Sequence, residues 1–273
     1  MMVSALRSPA LCSPDLCSTV ATGTGFAAGI RRTDPVMWQV PEEVPVALLY
    51  NGRSHAVMMA TPADLEDFAV GFTLGEEILD AFTDIEGVEV EPQSGGIAVD
   101  MAVDKMLMAQ RALRKRSMEG RSGCGLCGAE SLEGVVRKPH PVLAGFEPDP
   151  AAVQAAFSQL PAFQAMNRAN RSVHAAAWCD AGGKILLARE DVGRHNALDK
   201  MIGAVIRSGL SPSDGFAIMT SRCSFELVQK AAAVGIPLLA TMSAPTSLAL
   251  DLARQAGMTL GAMSRAESIV LFH

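Results

Sequence analysis

The sequence predicts an α/β fold, a mixed sheet layered with helices, preceded by a smaller N-terminal α+β unit. Three observations carry that expectation. The second half alternates short apolar strand segments with amphipathic helical ones, the pattern of a partly parallel sheet. The first half instead offers two hairpins around one helix. The 273 residues are 49% hydrophobic and 19% charged, which allows a sizeable core in one large domain or two modest ones.

Residues 1–35 are rich in Ser, Ala, Gly and Pro and carry Arg7, Arg31 and Arg32. They lack the continuous apolar run of a secretory signal and read as a disordered tail, with no role for Cys12 or Cys17. Val44, Val46, Leu48 and Tyr50 alternate with other residues at strand period. Asn51-Gly52 is a hairpin signal, and residues 54–60 return as the partner strand. Thr61 is the expected N-cap of a helix with Pro62 in its first turn. Leu65, Phe68, Ala69 and Phe72 give that helix one apolar face. Strands follow at 85–91 and 97–103, then a basic helical stretch at 105–116. Residues 36–120 therefore form the small α+β unit, and 121–148 hold a cysteine loop and a Gly/Pro-rich linker.

Residues 149–273 form the larger α/β domain. Asp149-Pro150 opens a helix with Val153, Ala156, Phe157 and Leu160 on its face. Strands at 173–179 and 184–188 turn through 180–183. A charge-dense run, Glu190 to Asn196, precedes a helix with Leu198, Met201, Ile202 and Val205 inward, ended by Gly209. Strands at 216–219 and 236–240 each lead into a helix, and two strands close the chain at 258–263 and 268–272.

The most distinctive stretch is Ser122-Gly123-Cys124-Gly125-Leu126-Cys127-Gly128. Glycines before, between and after the cysteines leave the backbone free and the thiols unshielded. Lys105, Arg111, Arg114, Lys115, Arg116 and Arg121 precede the pair, against Glu119 alone. Positive charge favours thiolate, the reactive form, so an exposed pair suited to sulfur chemistry is the favoured reading. Other readings are open. Half a zinc site needs two more ligands, and Cys179, Cys223, His140 and His174 are scattered singles. A thioredoxin-like pair should follow a strand and start a helix, but here a basic helical stretch comes first. Gly123-x-Gly125-x-x-Gly128 spells a dinucleotide fingerprint without the strand which that motif requires.

The net charge of −6 argues against general nucleic-acid binding, and no run of apolar residues is long enough to span a membrane. Six cysteines do not read as a disulfide framework, so a reducing cytoplasm is the expected compartment. In open α/β sheets ligands gather outside the carboxyl ends of strands, where helix N-termini suit phosphate. Residues 191–196, 220–222 and 243–246 fall at three such junctions. Together with Arg194, Arg222 and Arg265 they point to a phosphate-bearing ligand, although any single Ser or Thr there serves equally as an N-cap. His195 fits either an acid/base or anion-binding role or a loop-ordering one through Asp191 or Glu190, and His174 reads as a core histidine.

Several segments resemble the FdhD family of formate dehydrogenase accessory sulfur carriers. They are Glu43 to Leu48, Asn51-Gly52 with Met58 to Ala60, Gly123 to Gly128, His174 to Trp178, the long run Glu190 to Lys200, and Ser221-Arg222 with Gln229-Lys230. The resemblance runs from about residue 36 to the end. It implies a cytidine-deaminase-like α/β domain, a homodimer, and sulfurtransferase activity of the carrier type. Cys124 would take sulfur from a cysteine desulfurase as a persulfide, with Cys127 as its neighbour in transfer. The acceptor would be the molybdenum cofactor, bis-molybdopterin guanine dinucleotide, before its insertion into apo-formate dehydrogenase. The family's cofactor segment maps to Met263, Ser264, Arg265, Ala266, Glu267 and Ser268. Here Met263, Glu267 and Ser268 stand where the family commonly has an aromatic, a glycine and a basic residue. Asp191, Arg194, His195 and Arg222 are the further pocket candidates. A guanine nucleotide is expected to fit the same site, and no directly bound metal is expected. Deamination is not expected either, because His174-Ala175-Ala176 lacks the catalytic glutamate and no proline precedes Cys124.

Overall fold

The computed structural model describes residues 17–27, 30–108, 137–142, 146, 149–264 and 268–273. In the N-terminal unit, β3 (Val44–Tyr50) and β4 (Arg53–Ala60) form the expected hairpin. Asn51 and Gly52 both take positive φ, 51° and 76°, the geometry that makes Asn-Gly a tight turn. The second hairpin pairs β5 (Ile85–Gln93) with β6 (Gly96–Val103). β3 lies parallel to β6, which gives the order β4-β3-β6-β5.

Helix α1 (Leu65–Gly75) covers this sheet, with Phe68 and Phe72 packed on Leu48, Val99 and Met101. Two local expectations change here. Thr61 is not the N-cap; Asp64, at φ 53°, holds that position, and the polar atoms of Thr61 are engaged elsewhere. Nor does α1 have only one buried face, since Asp67 through Gly75 are all buried. Its far side packs against α4 (Arg194–Arg207), so the helix is covered from both sides.

Part of the segment read as a disordered tail is ordered. β1 (Ser18–Ala27) pairs antiparallel with β2 (Ile30–Pro41), Ser18 opposite Pro41. The base of this ribbon is held where Cys17 packs with Ala63, Met166 and Val173, a contact between distant segments that local composition does not reveal. Asn170 Nδ2 also donates to Ser18 Oγ at 3.0 Å.

The larger domain contains β7 (His174–Asp180), β8 (Ile185–Asp191), β9 (Gly215–Met219), β10 (Leu238–Thr241), β11 (Thr259–Met263) and β12 (Ile269–Phe272). They form one mixed sheet in the order β12-β11-β10-β9-β7-β8. β9, β10 and β11 are parallel, while β7 runs antiparallel to both its neighbours. Side chains alternate across the sheet. Ala176 and Trp178 face α4, α5 (Phe225–Ala233) and α6 (Ser247–Ala256). Ala175, Ala177 and Cys179 face α2 (Pro150–Phe163) on the other side. α2 begins as expected, with Asp149 accepting from Ala151 N at 2.8 Å. A short α3 (Ala165–Asn170) was not anticipated. The result is the mixed sheet layered with helices that the strand and helix alternation predicts. Among the described residues, no helix is long and apolar enough to cross a membrane.

Candidate ligand-binding site

The sheet topology brings distant residues to one edge. Because β7 is antiparallel to β8 and β9, β8 points the same way as β9, β10 and β11. Their carboxyl ends therefore share one edge, where open α/β sheets bind ligands. The turns after β8, β9 and β10 gather there, as does Ser264 directly after β11. His174, the first residue of antiparallel β7, joins them opposite Asp191.

The candidate residues have different fates at this edge. Asp191 is fully buried and saturated. Its Oδ1 accepts from Gly193 N (2.8 Å) and Asn196 Nδ2 (2.9 Å), and its Oδ2 from Thr61 N (3.0 Å), with Lys200 Nζ at 2.6 Å. Both oxygens are spent, so Asp191 builds the turn and has no lone pair left for a ligand. Arg194 is half-buried and Arg222 exposed, and neither pairs with a carboxylate of the described residues. His195 Nε2 is buried and lies 3.7 Å from Glu226 Oε2, an ion-pair distance beyond hydrogen-bond length. Ser224 Oγ, at the start of α5, is buried without a hydrogen bond. The His195 imidazole, foremost, holds the Glu226 carboxyl well below the usual carboxylate range, against the cost of burial.

His174 does not sit in the core that its neighbouring alanines suggest. It is half-buried at the edge, and its Nδ1 is 3.5 Å from Thr220 Oγ1. Burial, then the Arg194 guanidinium, push its pKa down, so at neutral pH it offers hydrogen bonds and no charge. The N-terminus of α4 has no side-chain cap, because Gly193 holds the N-cap position. At α6 the cap reading holds: Thr246 Oγ1 accepts from Ala249 N at 3.2 Å. Met263 ends β11 and Ser264 follows it; Ser264 N donates to Ser268 O at 2.7 Å and the two hydroxyls meet at 2.6 Å. Arg265, Ala266 and Glu267 lie outside the described residues, as do Cys124 and Cys127.

Unspent guanidinium groups beside an open helix N-terminus suit an anion such as phosphate. Sequence reasoning missed Glu226 and Lys200. Lys200 is fully buried at helical spacing from Ala197 and Ala204, and a lysine on that small-residue face was the visible signal. The two described free cysteines are buried: Cys179 and Cys223 have thiols pushed up to about 12, chiefly by loss of solvent. Among the described residues no group of three or more His, Cys, Asp or Glu could hold a metal ion.

Fold and edge together define an α/β protein with a cationic candidate edge for a ligand, joined to a smaller sheet unit. The chain belongs to the FdhD/NarQ family, whose family model matches residues 41–273. It is 50% identical over 256 residues to the sulfur carrier protein FdhD of Cupriavidus necator, covering 92% of this chain and 88% of that one. The protein of the same name from Chromobacterium violaceum is 49% identical over 235 residues, 85% of this chain and 87% of the relative. A crystal structure assigned as a formate dehydrogenase accessory protein, from Desulfotalea psychrophila, superposes with a TM-score of 0.73 at 26% identity. That match covers 94% of this chain and 97% of the other.

Proposed function

We propose that this chain is a cytoplasmic sulfur carrier serving formate dehydrogenase. It accepts sulfur from a cysteine desulfurase as a persulfide on Cys124. It passes that sulfur to the molybdenum cofactor, bis-molybdopterin guanine dinucleotide, before apo-formate dehydrogenase receives it. The observation that carries this reading is the name shared by relatives about half identical over most of the chain, sulfur carrier protein. Burial of two of the other cysteines is consistent with the choice of Cys124. A thiol with a pKa near 12 is scarcely ionised at neutral pH, which sets Cys179 and Cys223 aside. Cys124 and Cys127 have glycine neighbours and a basic stretch before them.

The loading step conserves atoms and electrons. The Cys124 thiolate attacks the terminal sulfur of the donor persulfide. A new S–S bond forms as the old one breaks, and the donor cysteine leaves as thiolate. If Cys127 then attacks Cys124 Sγ, hydrosulfide departs and a Cys124–Cys127 disulfide remains. Arg194, Arg222 and the α4 N-terminus are suited to the phosphates of the dinucleotide, with His195 alongside. The carrier works as a homodimer.

Incubation of the purified protein with a desulfurase and cysteine tests the reading. Mass spectrometry should find about 32 Da added to the peptide holding Cys124, one sulfane sulfur on a reactive thiolate. In cells lacking their own copy, Cys124→Ala should fail to restore formate dehydrogenase activity. Full activity of that variant would leave only a cofactor-binding chaperone.

A further inference from the structure

Lys200 has no part in the chemistry above, yet it sits at the centre of the junction that shapes the ligand edge. Its side chain is fully buried in α4. Besides approaching Asp191, its Nζ donates to Thr61 O at 2.9 Å. Thr61 N donates to Asp191, and Thr61 Oγ1 accepts from Val192 N at 3.2 Å. Asn196 Nδ2 reaches Met59 O at 2.8 Å as well as Asp191. Thr61 N, O and Oγ1 are all spent on α4 and the turn that opens it. That turn presents Arg194 and His195. Met59 lies in β4 and Thr61 directly after it, so the N-terminal unit grips the turn from outside.

One buried carboxylate collects these bonds, and one buried cation balances it. Removing the cation leaves an uncompensated buried charge, which is far costlier than replacing the pair together. Bonds that share a single acceptor also loosen together.

We propose that Lys200 is a positioning residue that, through Asp191 and Thr61, fixes the turn aiming Arg194 and His195 at the anion, and so makes the N-terminal unit part of the ligand site. The inference rests on the reading of this edge as the seat of the phosphate-bearing cofactor. Lys200 itself touches no ligand.

Amide hydrogen exchange on the full-length protein tests it, comparing wild type with Lys200→Met under conditions where both retain native circular dichroism. Peptides spanning 59–63 and 190–197 should exchange about tenfold faster or more, as expected for a local opening. Peptides from β9, β10 and α6 should not change. Unchanged exchange at 190–197 overturns the proposal. So does equal acceleration everywhere, which would make Lys200 a contributor to global stability alone. Should Lys200→Met not fold, Asp191→Asn/Lys200→Met removes both charges and is measured in the same way, with the same two overturning results. Guanosine diphosphate is the ligand probe in parallel, and its affinity should fall about tenfold in the variant. Wild type failing to bind it counts against the reading of the edge, while the exchange comparison still decides on Lys200.

Discussion

Cys179 and Cys223 carry the same thiol as Cys124, and burial, helped at Cys179 by the neighbouring Asp180 charge, makes them poor nucleophiles. In the folded protein, iodoacetamide at mildly alkaline pH should leave both unmodified, as peptide masses after digestion would report. Alkylation of either before unfolding would contradict the account of their burial. Glu226 gives a second test at this scale. Its folded pKa, about 2, lies below the ordinary 4.5, His195 being the first cause. A carboxyl depressed by folding adds stability that is fully present above about 4.5 and is lost as pH falls through about 2. Glu226→Gln should therefore flatten the fall of the melting temperature with acid across that window, measured by circular dichroism. An unchanged acid limb would show that the pair contributes nothing.

The crossing of α1 and α4 depends on two glycines. A Cβ on Gly71 would lie 1.7 Å from Asp199 O, and one on Gly203 1.9 Å from Asp67 O. In an isolated helix, alanine is favoured over glycine by about 1 kcal/mol. Here the sign reverses, because backbone cannot move aside as a side chain can. Gly203→Ala should destabilise by about 2–3 kcal/mol through overpacking, read from the midpoint of urea unfolding. The same crossing carries charge. Arg207 pairs with Glu66 and Asp67, and Arg189 Nη2 lies 2.8 Å from Asp67 Oδ2. Lys230 Nζ lies 2.9 Å from both Asp199 Oδ1 and Glu76 Oε1, and 4.9 Å from the centre of the Phe72 ring. Separating the helices would strand the buried Asp67, Asp199 and Lys230 as well as open the packing.

The two units behave as one body because α1 lies between the four-stranded sheet and the helices of the six-stranded one. The layers run α2, six-stranded sheet, α4 to α6, α1, four-stranded sheet. Unfolding followed by the fluorescence of buried Trp178 should therefore superimpose on far-ultraviolet circular dichroism, in a single transition. Two separated transitions would show the units to be independent. A fragment of residues 149–273 should fail to fold stably, since the faces of α4 and α5 that meet α1 would be bare.

Much of this molecule was legible as text. Periodicity placed the strands around Asn51-Gly52, the helix after Asp149 and the strand–helix alternation that ends the chain, because each depends on neighbours in sequence. The strand-to-helix junctions could be named for the same reason, and His195 and Arg222 do lie at the shared edge. Other features depend on residues far apart along the chain. The binding of Thr61 by Asp191 and Lys200, the burial of α1 on both sides, and the anchoring of the β1–β2 ribbon are contacts of that kind. Local composition carries no signal for such pairs, since their bonds exist only after the chain has closed on itself. For Asp191, this moved the expected role from ligand contact to internal support: charge suggested a binding group, and three-dimensional packing left its oxygens no room for one.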